Sequence, residues 1–375
     1  MSGPLEIMLD LGEEAAPGHA LRAALSLACA TGRAFSVVRF RALRPEPGLR
    51  PQHVQAIRLA ARLCGAEPSG AEAGSQRLRF EPGGPARAVE GLAWDAGPTC
   101  STGRLLELTV PALALAGAAS TLTLRGATHQ PGLPSFHQLA LAWAPAMQRL
   151  GFKVELSLGV AGFHGQGGGL VTARVEPARA MPPLDLGHRG MLCEVEVLSL
   201  AGGLDPDAGA LQAARAVRAL RALGVPAEAE RLPVPVQGSA GSHLLVVARF
   251  ERFTSGHGAT APPLRPPAEA ADLAVAAFRA HLDAGGAVDG LLGAQLVVPA
   301  ALLAAGRVAG PAGLVPATRF TVSEITAPLL ALAEVVPRFL PVEVAVVGRR
   351  GALGEVRVQP AGGALGVLPM EGGRG

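Results

Sequence analysis

The chain has 375 residues, 49% hydrophobic and 17% charged, with a formal net charge of only +3. Such a composition buries a sizeable core, excludes extensive disorder, and does not through its charge point to nucleic acid. The length allows one large domain and a smaller one. Almost all the positive charge is arginine, the one lysine being Lys153; a planar guanidinium suits bidentate contact with phosphate as well as ordinary surface duty. Counts of 49 glycines and 32 prolines imply many turns. Cys29, Cys64, Cys100 and Cys193 are widely spaced and form no C-x-x-C pair, which argues against zinc and for free thiols in a reducing cytoplasm. The first eleven residues lack the basic region and apolar core of a signal peptide. Leu108–Leu124, interrupted by Pro111, is too short to span a membrane.

Strand and helix patterns alternate along the chain. Leu5–Leu9 reads as a strand, His19–Thr31 as a helix closed by Gly32, and Phe35–Phe40 as a second strand. Pro51–Cys64 is a second helix, closed by Gly65, and Gln76–Phe80 a strand ending at a Pro82-Gly83 turn. The rhythm recurs with helices at Arg104–Leu115 and Ser135–Leu150 and strands at Ser120–Leu124, Lys153–Leu158 and Leu170–Val175. A third unit has helical stretches at Asp272–Leu282, Val288–Ala304 and Pro328–Phe339, with extended Arg319–Val322 and Val342–Val347. Three similar units suggest an internally repeated α/β fold. Between them, Met191–Leu198, Asp207–Leu223 and His243–Phe250 read as strand, helix and strand, flanked by proline-rich loops. These look like a small α/β insert. The expected divisions are 1–183 for two repeats of the large domain, 184–268 for the insert, 269–357 for the third repeat, and 358–375 for a glycine-rich disordered tail. His257 falls in what reads as an exposed loop.

The segment Gly162-Phe163-His164-Gly165-Gln166-Gly167-Gly168-Gly169 admits two readings, a tight turn needing positive φ or a backbone N–H cradle for phosphate. Its order of residues resembles the glycine-rich signature of the RNA 3′-terminal phosphate cyclase family. Other stretches match in the same order. They include Arg41-Ala42 with Arg44, Pro47-Gly48-Leu49 and Gln52-His53, then Leu63-Cys64-Gly65-Ala66 and Gly74-Ser75-Gln76-Arg77-Leu78. Gly126, Thr128 and Pro131, Leu186-Gly187 with Arg189-Gly190, Gly285-Gly286-Ala287-Val288, Gln295-Leu296-Val297 and Arg338-Phe339-Leu340-Pro341-Val342 follow. The resemblance implies a large domain of three β-α-β-α-β-β units with a small α/β domain inserted, a unit also found in enolpyruvyl transferases.

The resemblance also implies a reaction. A histidine attacks ATP and is adenylated, AMP passes to an RNA 3′-phosphate, and the 2′-hydroxyl closes a 2′,3′-cyclic phosphate with a magnesium or manganese ion assisting. By the same resemblance Arg22, Arg41, Arg44, Gln52, His53, Gly167 and Gly168 would bind substrate phosphate, Glu107 and Gln295 nucleotide, and Glu14 a metal. The chain departs from the pattern where the chemistry is concentrated. The nucleophilic histidine falls on Pro328, and the last histidine anywhere in the chain is His281. The acid of the first loop falls on Ala15, with Glu13 and Glu14 beside it, and the following glutamine on His19. A Ser-Ala-Gly-Ser loop becomes Pro98-Thr99-Cys100-Ser101. A glutamine becomes Glu107, a negative charge where nucleotide phosphate is expected, and an aspartate becomes Ala294. Three functions remain open: a protein that binds RNA 3′ ends with ATP-dependent catalysis lost or altered, an active cyclase with a rearranged site using His19 or His53, or a different enzyme on the same scaffold, such as a transferase in the enolpyruvyl style. Arg41 and Arg44 have an alternative in pairing with Glu13 or Glu14, and His19 in facing solvent or capping its helix.

Overall fold

The computed structural model describes residues 7–163, 165, 167–205, 207–261, 265–308 and 317–362. The first unit runs β1 (Ile7–Asp10), α1 (Pro17–Thr31), β2 (Phe35–Val38), α2 (Pro51–Cys64) and β3 (Leu78–Phe80). Proline opens both helices, where an N–H would have no intrahelical partner, and glycine closes both in the left-handed region, Gly32 at φ 73° and Gly65 at φ 64°.

The second unit is β4 (Leu92–Asp95), α3 (Thr102–Ala114), β5 (Ser120–Gly126), α4 (Phe136–Gln138), a π-helical turn over Leu139–Trp143, α5 (Ala144–Arg149), β6 (Val154–Val160) and β7 (Gly169–Val175). Ser135–Leu150 reads as one helix in the sequence, but its middle widens, and the Ala144 N–H reaches back to the Leu139 carbonyl. Pro145 gives the reason: it has no N–H to donate to Leu141, so a regular ladder cannot pass.

The third unit starts at β8 (Leu184–Leu186) and is then interrupted by β9 (Leu192–Gly202), α6 (Ala208–Ala222), β10 (Glu228–Pro233), β11 (Gly241–Phe250), β12 (Thr254–Thr260) and α7 (Ala268–Ala284). It resumes with α8 (Gly290–Ala304), β13 (Thr318–Val322), α9 (Ala327–Phe339), β14 (Val342–Gly348) and β15 (Gly354–Pro360).

The repeat expected from sequence pattern is visible in the sheets. Unit two is ordered β4-β5-β7-β6 and unit three β8-β13-β15-β14. In each, the first pairing is parallel and the other two antiparallel. Unit one repeats the plan in β1-β2-β3, parallel then antiparallel, with its fourth position reduced to a single bridge between Ser69 and Arg79. The chain is therefore a mixed α/β fold of three like units.

The insert forms its own sheet, β10-β9-β11-β12. Val195, Val197, Leu220, Leu244, Val246, Phe250 and Phe278 make one core on its helix-covered face. Leu198, Leu200, Leu245 and Val247 make a second, against Leu141 of the π-helical turn. Burial on both faces explains why β11 is a nearly unbroken apolar run rather than an alternating one. Helix α7 contributes Ala270, Ala271, Ala274, Val275 and Phe278 to the insert's core, although the sequence division places it in the third repeat.

Two further expectations are corrected. Thr254–Thr260 is strand β12, not a loop, and His257 is buried, not exposed. Its small polar residues carry no strand signal, and pairing with β11 over seven residues imposes the conformation. The tail does not begin at 358: Val356 and Val358 are fully buried in β15, which pairs with both β13 and β14. Its remainder, from 363, lies outside the described residues, as do His164 and Gln166.

Candidate functional site

The first long helices of the three units, α1, α3 and α8, pack together with α9. Arg22, Glu107 and Gln295 each stand five residues beyond the first residue of their helix, which is Pro17, Thr102 and Gly290 respectively. The three side chains therefore occupy equivalent positions in the repeat. They meet, with His19 and Arg104, around a small cavity of about 50 Å³. Arg22 and Arg104 also line a larger neighbouring cavity of about 220 Å³, bounded by Gln52, His53, Thr99, Cys100, Ser101 and Gln130.

Both carboxylate oxygens of Glu107 are engaged. Arg104 Nη1 donates to one at 2.7 Å, and Gln295 Nε2 donates to the other. The ion pair is largely withdrawn from water, its side chains being 10% and 14% exposed. Arg22 differs. Among the described residues its guanidinium makes no hydrogen bond and no ion pair. Burial and the charge of Arg104 lower its pKa to about 9, which leaves it cationic at neutral pH. His19 is partly buried and faces the cavity: burial first, then Arg104 and Arg22, drive its pKa down to about 2, so the ring is neutral.

His53 is set by its own helix end. Its Nδ1 accepts the Arg50 N–H at 3.0 Å, and its own N–H donates to the Arg50 carbonyl at 2.9 Å, which closes the first turn of α2. Burial and the surrounding Arg22, Arg41 and Arg50 lower its pKa to about 3. A neutral ring that accepts at Nδ1 carries its proton on Nε2. That Nε2 lies beside Arg22: a Cβ placed on Gly18 would be 3.2 Å from it and 3.5 Å from Arg22 Nη1. The cavity thus presents an N–H donor near a cation that has no hydrogen bond or ion pair among the described residues, with Gln52 on the same wall.

The remaining expected site residues separate from this group. Arg41 is buried and donates to the Gly48 carbonyl at 3.2 Å, bracing the turn in which it holds φ 56°. Arg44 donates to the Ala15 carbonyl at 2.8 Å. Neither pairs with Glu13 or Glu14, and neither lines the cavity. Gly167 donates its N–H to Phe163, and a Cβ there would lie 2.4 Å from Pro98. A Cβ on Gly168 would lie 2.7 Å from the Gln237 carbonyl. Both have positive φ, and Gly167 packs directly against Pro98 of the Pro98–Ser101 loop.

Glu14 accepts the Ala16 N–H at 2.8 Å and opens on a separate groove of about 510 Å³ with Asp10, Glu13, Glu334, Arg39 and Arg350. Among the described residues, no group of three or more His, Cys, Asp or Glu is arranged to hold a metal ion. Pro328 occupies the first turn of α9, after the Thr326 cap, and has no titratable or nucleophilic atom. Sequence reasoning missed Arg104 and Gln130. For Arg104 a signal existed, since it lies three residues before Glu107 and so shares its helix face.

A family model described as RNA 3′-terminal phosphate cyclase matches residues 14–346. An RNA 3′-terminal phosphate cyclase of Methylococcus capsulatus is 37% identical over 329 residues, covering 86% of this chain and 88% of that protein. Proteins with the same description from Ralstonia nicotianae and Pseudomonas fluorescens are 35% and 36% identical, covering 94% and 87% of this chain and 96% and 91% of theirs. With the three like units, the insert and the arginine-lined cleft, these matches show that the chain belongs to the RNA 3′-terminal phosphate cyclase family.

Proposed function

We propose that this chain binds the phosphorylated 3′ end of an RNA in the 220 Å³ cavity, without the adenylated histidine the family chemistry requires. The observation that carries the reading is the unpaired Arg22 guanidinium beside the neutral His53 Nε2–H. A phosphate monoester would satisfy both, gaining charge-assisted hydrogen bonds in a partly dehydrated pocket. Ser101 and Gln130 lie on the same cavity wall and add polar groups. A nucleotide does not fit the adjoining pocket as its side chains stand, because Glu107 fills the space and repels phosphate.

The test is anisotropy of a labelled oligoribonucleotide ending in 3′-phosphate or 3′-hydroxyl. Preference for the phosphate, lost in Arg22→Met, supports the reading. Equal binding of both ends, or none, overturns it. The second reading, an active cyclase using His19 or His53, has one observation in its favour: both imidazoles are held neutral, as a nucleophile must be. Incubation with α-labelled ATP and magnesium or manganese decides it, since covalent label on the protein would establish that reading and displace the first.

A further inference from the structure

Glu107 stands among groups that normally receive a bound anion. Arg104 and the Gln295 amide donate to its two oxygens. Arg22, at the equivalent position of the first unit, faces the same small cavity and feels the carboxylate's charge. A carboxylate tethered to α3 is permanently present at this spot. A free phosphate would have to break two hydrogen bonds of a largely buried ion pair and approach a like charge. Glu107 does not line the neighbouring cavity, although Arg22 and Arg104 border both.

We propose that Glu107 is a built-in occupant of the nucleotide-phosphate position and determines selectivity: the chain accepts a terminal phosphate monoester while excluding nucleoside triphosphates. The proposal rests on the binding reading above and adds to it the class of ligand refused. The Arg104–Glu107–Gln295 contact also joins two of the three repeats across the small cavity.

Calorimetric titration of the full-length chain and of Glu107→Gln with ATP tests this. The amide keeps the shape and an acceptor for Arg104 but removes the charge. ATP affinity should rise by about tenfold or more in the variant, while affinity for a 3′-phosphorylated oligoribonucleotide changes by less than about threefold. Unchanged ATP affinity in the folded variant overturns the proposal. Thermal shifts of the unaltered chain give a second measurement that needs no variant: the oligoribonucleotide should raise the melting temperature and ATP should not. A clear ATP shift overturns the role of Glu107. Failure of the oligoribonucleotide to bind instead sinks the binding reading, and leaves the ATP comparison to judge Glu107 by itself.

Discussion

The histidines between unit two and the insert predict how the protein responds to acid. His129 follows β5, His137 lies in α4, and His243 lies in β11. His129 shares hydrogen bonds with Thr128 at 2.7 Å and His137 at 3.0 Å, and its ring lies 5.0 Å from that of His243. His243 bonds Thr260 at 2.9 Å, and its Nε2 has no partner. His129 and His243 are 0% and 1% exposed. Burial holds His129 far below the ordinary imidazole range and His243 at about 3. In the unfolded chain each ring binds a proton below about pH 6.5, while in the folded chain His243 refuses it until near pH 3 and burial keeps His129 neutral well below the ordinary range. The stabilisation is therefore complete above about pH 6.5 and is lost as the pH falls from there. Between about pH 6.5 and pH 5 each ring costs about 1.6 kcal/mol, and the two fully buried rings about 3 kcal/mol together. Urea midpoints followed by tryptophan fluorescence across this range should fall by at least this much, because His19, His53, His137, His257 and His281 are held neutral by burial too and add to the slope. In His243→Gln the dependence should weaken by about one proton, or about 1.4 kcal/mol per pH unit. A midpoint that stays flat between about pH 7 and pH 5, or an unaltered slope in the variant, would refute the reasoning.

Arg22→Met should leave the fold intact and raise stability by about 1 kcal/mol, because a partly buried cation without a partner is costly; a lowered urea midpoint would contradict this. Gly167→Ala should weaken binding of a 3′-phosphorylated oligoribonucleotide by shifting Pro98 and the loop that lines the cavity, at a stability cost of about 2 kcal/mol. Unchanged affinity and stability would return the cradle reading to the glycine run. Arg189 donates to the carbonyls of His281, Leu282 and Gly286 at the end of α7 and lies over Phe250. Arg189→Met should cost about 3 kcal/mol, since three carbonyls lose charged donors, and protease nicking near α7 would reveal the loosened end.

Much of the fold was legible because its helices carry their own boundary signals. Proline at the start and glycine at the end mark α2 without any tertiary information. What escaped notice was decided by neighbours: β12, rich in glycine and small polar residues, is a strand only because β11 is there to pair with it. The π-helical turn was signalled by Pro145 but is invisible to apolar spacing. In the site, Arg22, Gln52, His53, Glu107 and Gln295 do line the two adjoining cavities. For Arg41 and Arg44, residue type does not say that a nearby carbonyl takes one of their donors and holds them away from the cavity. Gly48 and Ala15 supply those carbonyls.

The convergence of the repeats has a consequence for how the protein is made. Glu107 and Gln295 are 188 residues apart in the chain, with the whole insert between them. Units one and two close their sheets from nearby sequence, but unit three must bring β8 to β13 across the insert, and the pocket is a long-range contact set whose loop-closure cost is met only when the units dock. During synthesis α8 emerges after both earlier units and the insert are complete. Ligand binding should then mature later than secondary structure in refolding, and would serve as a clock for the final docking step.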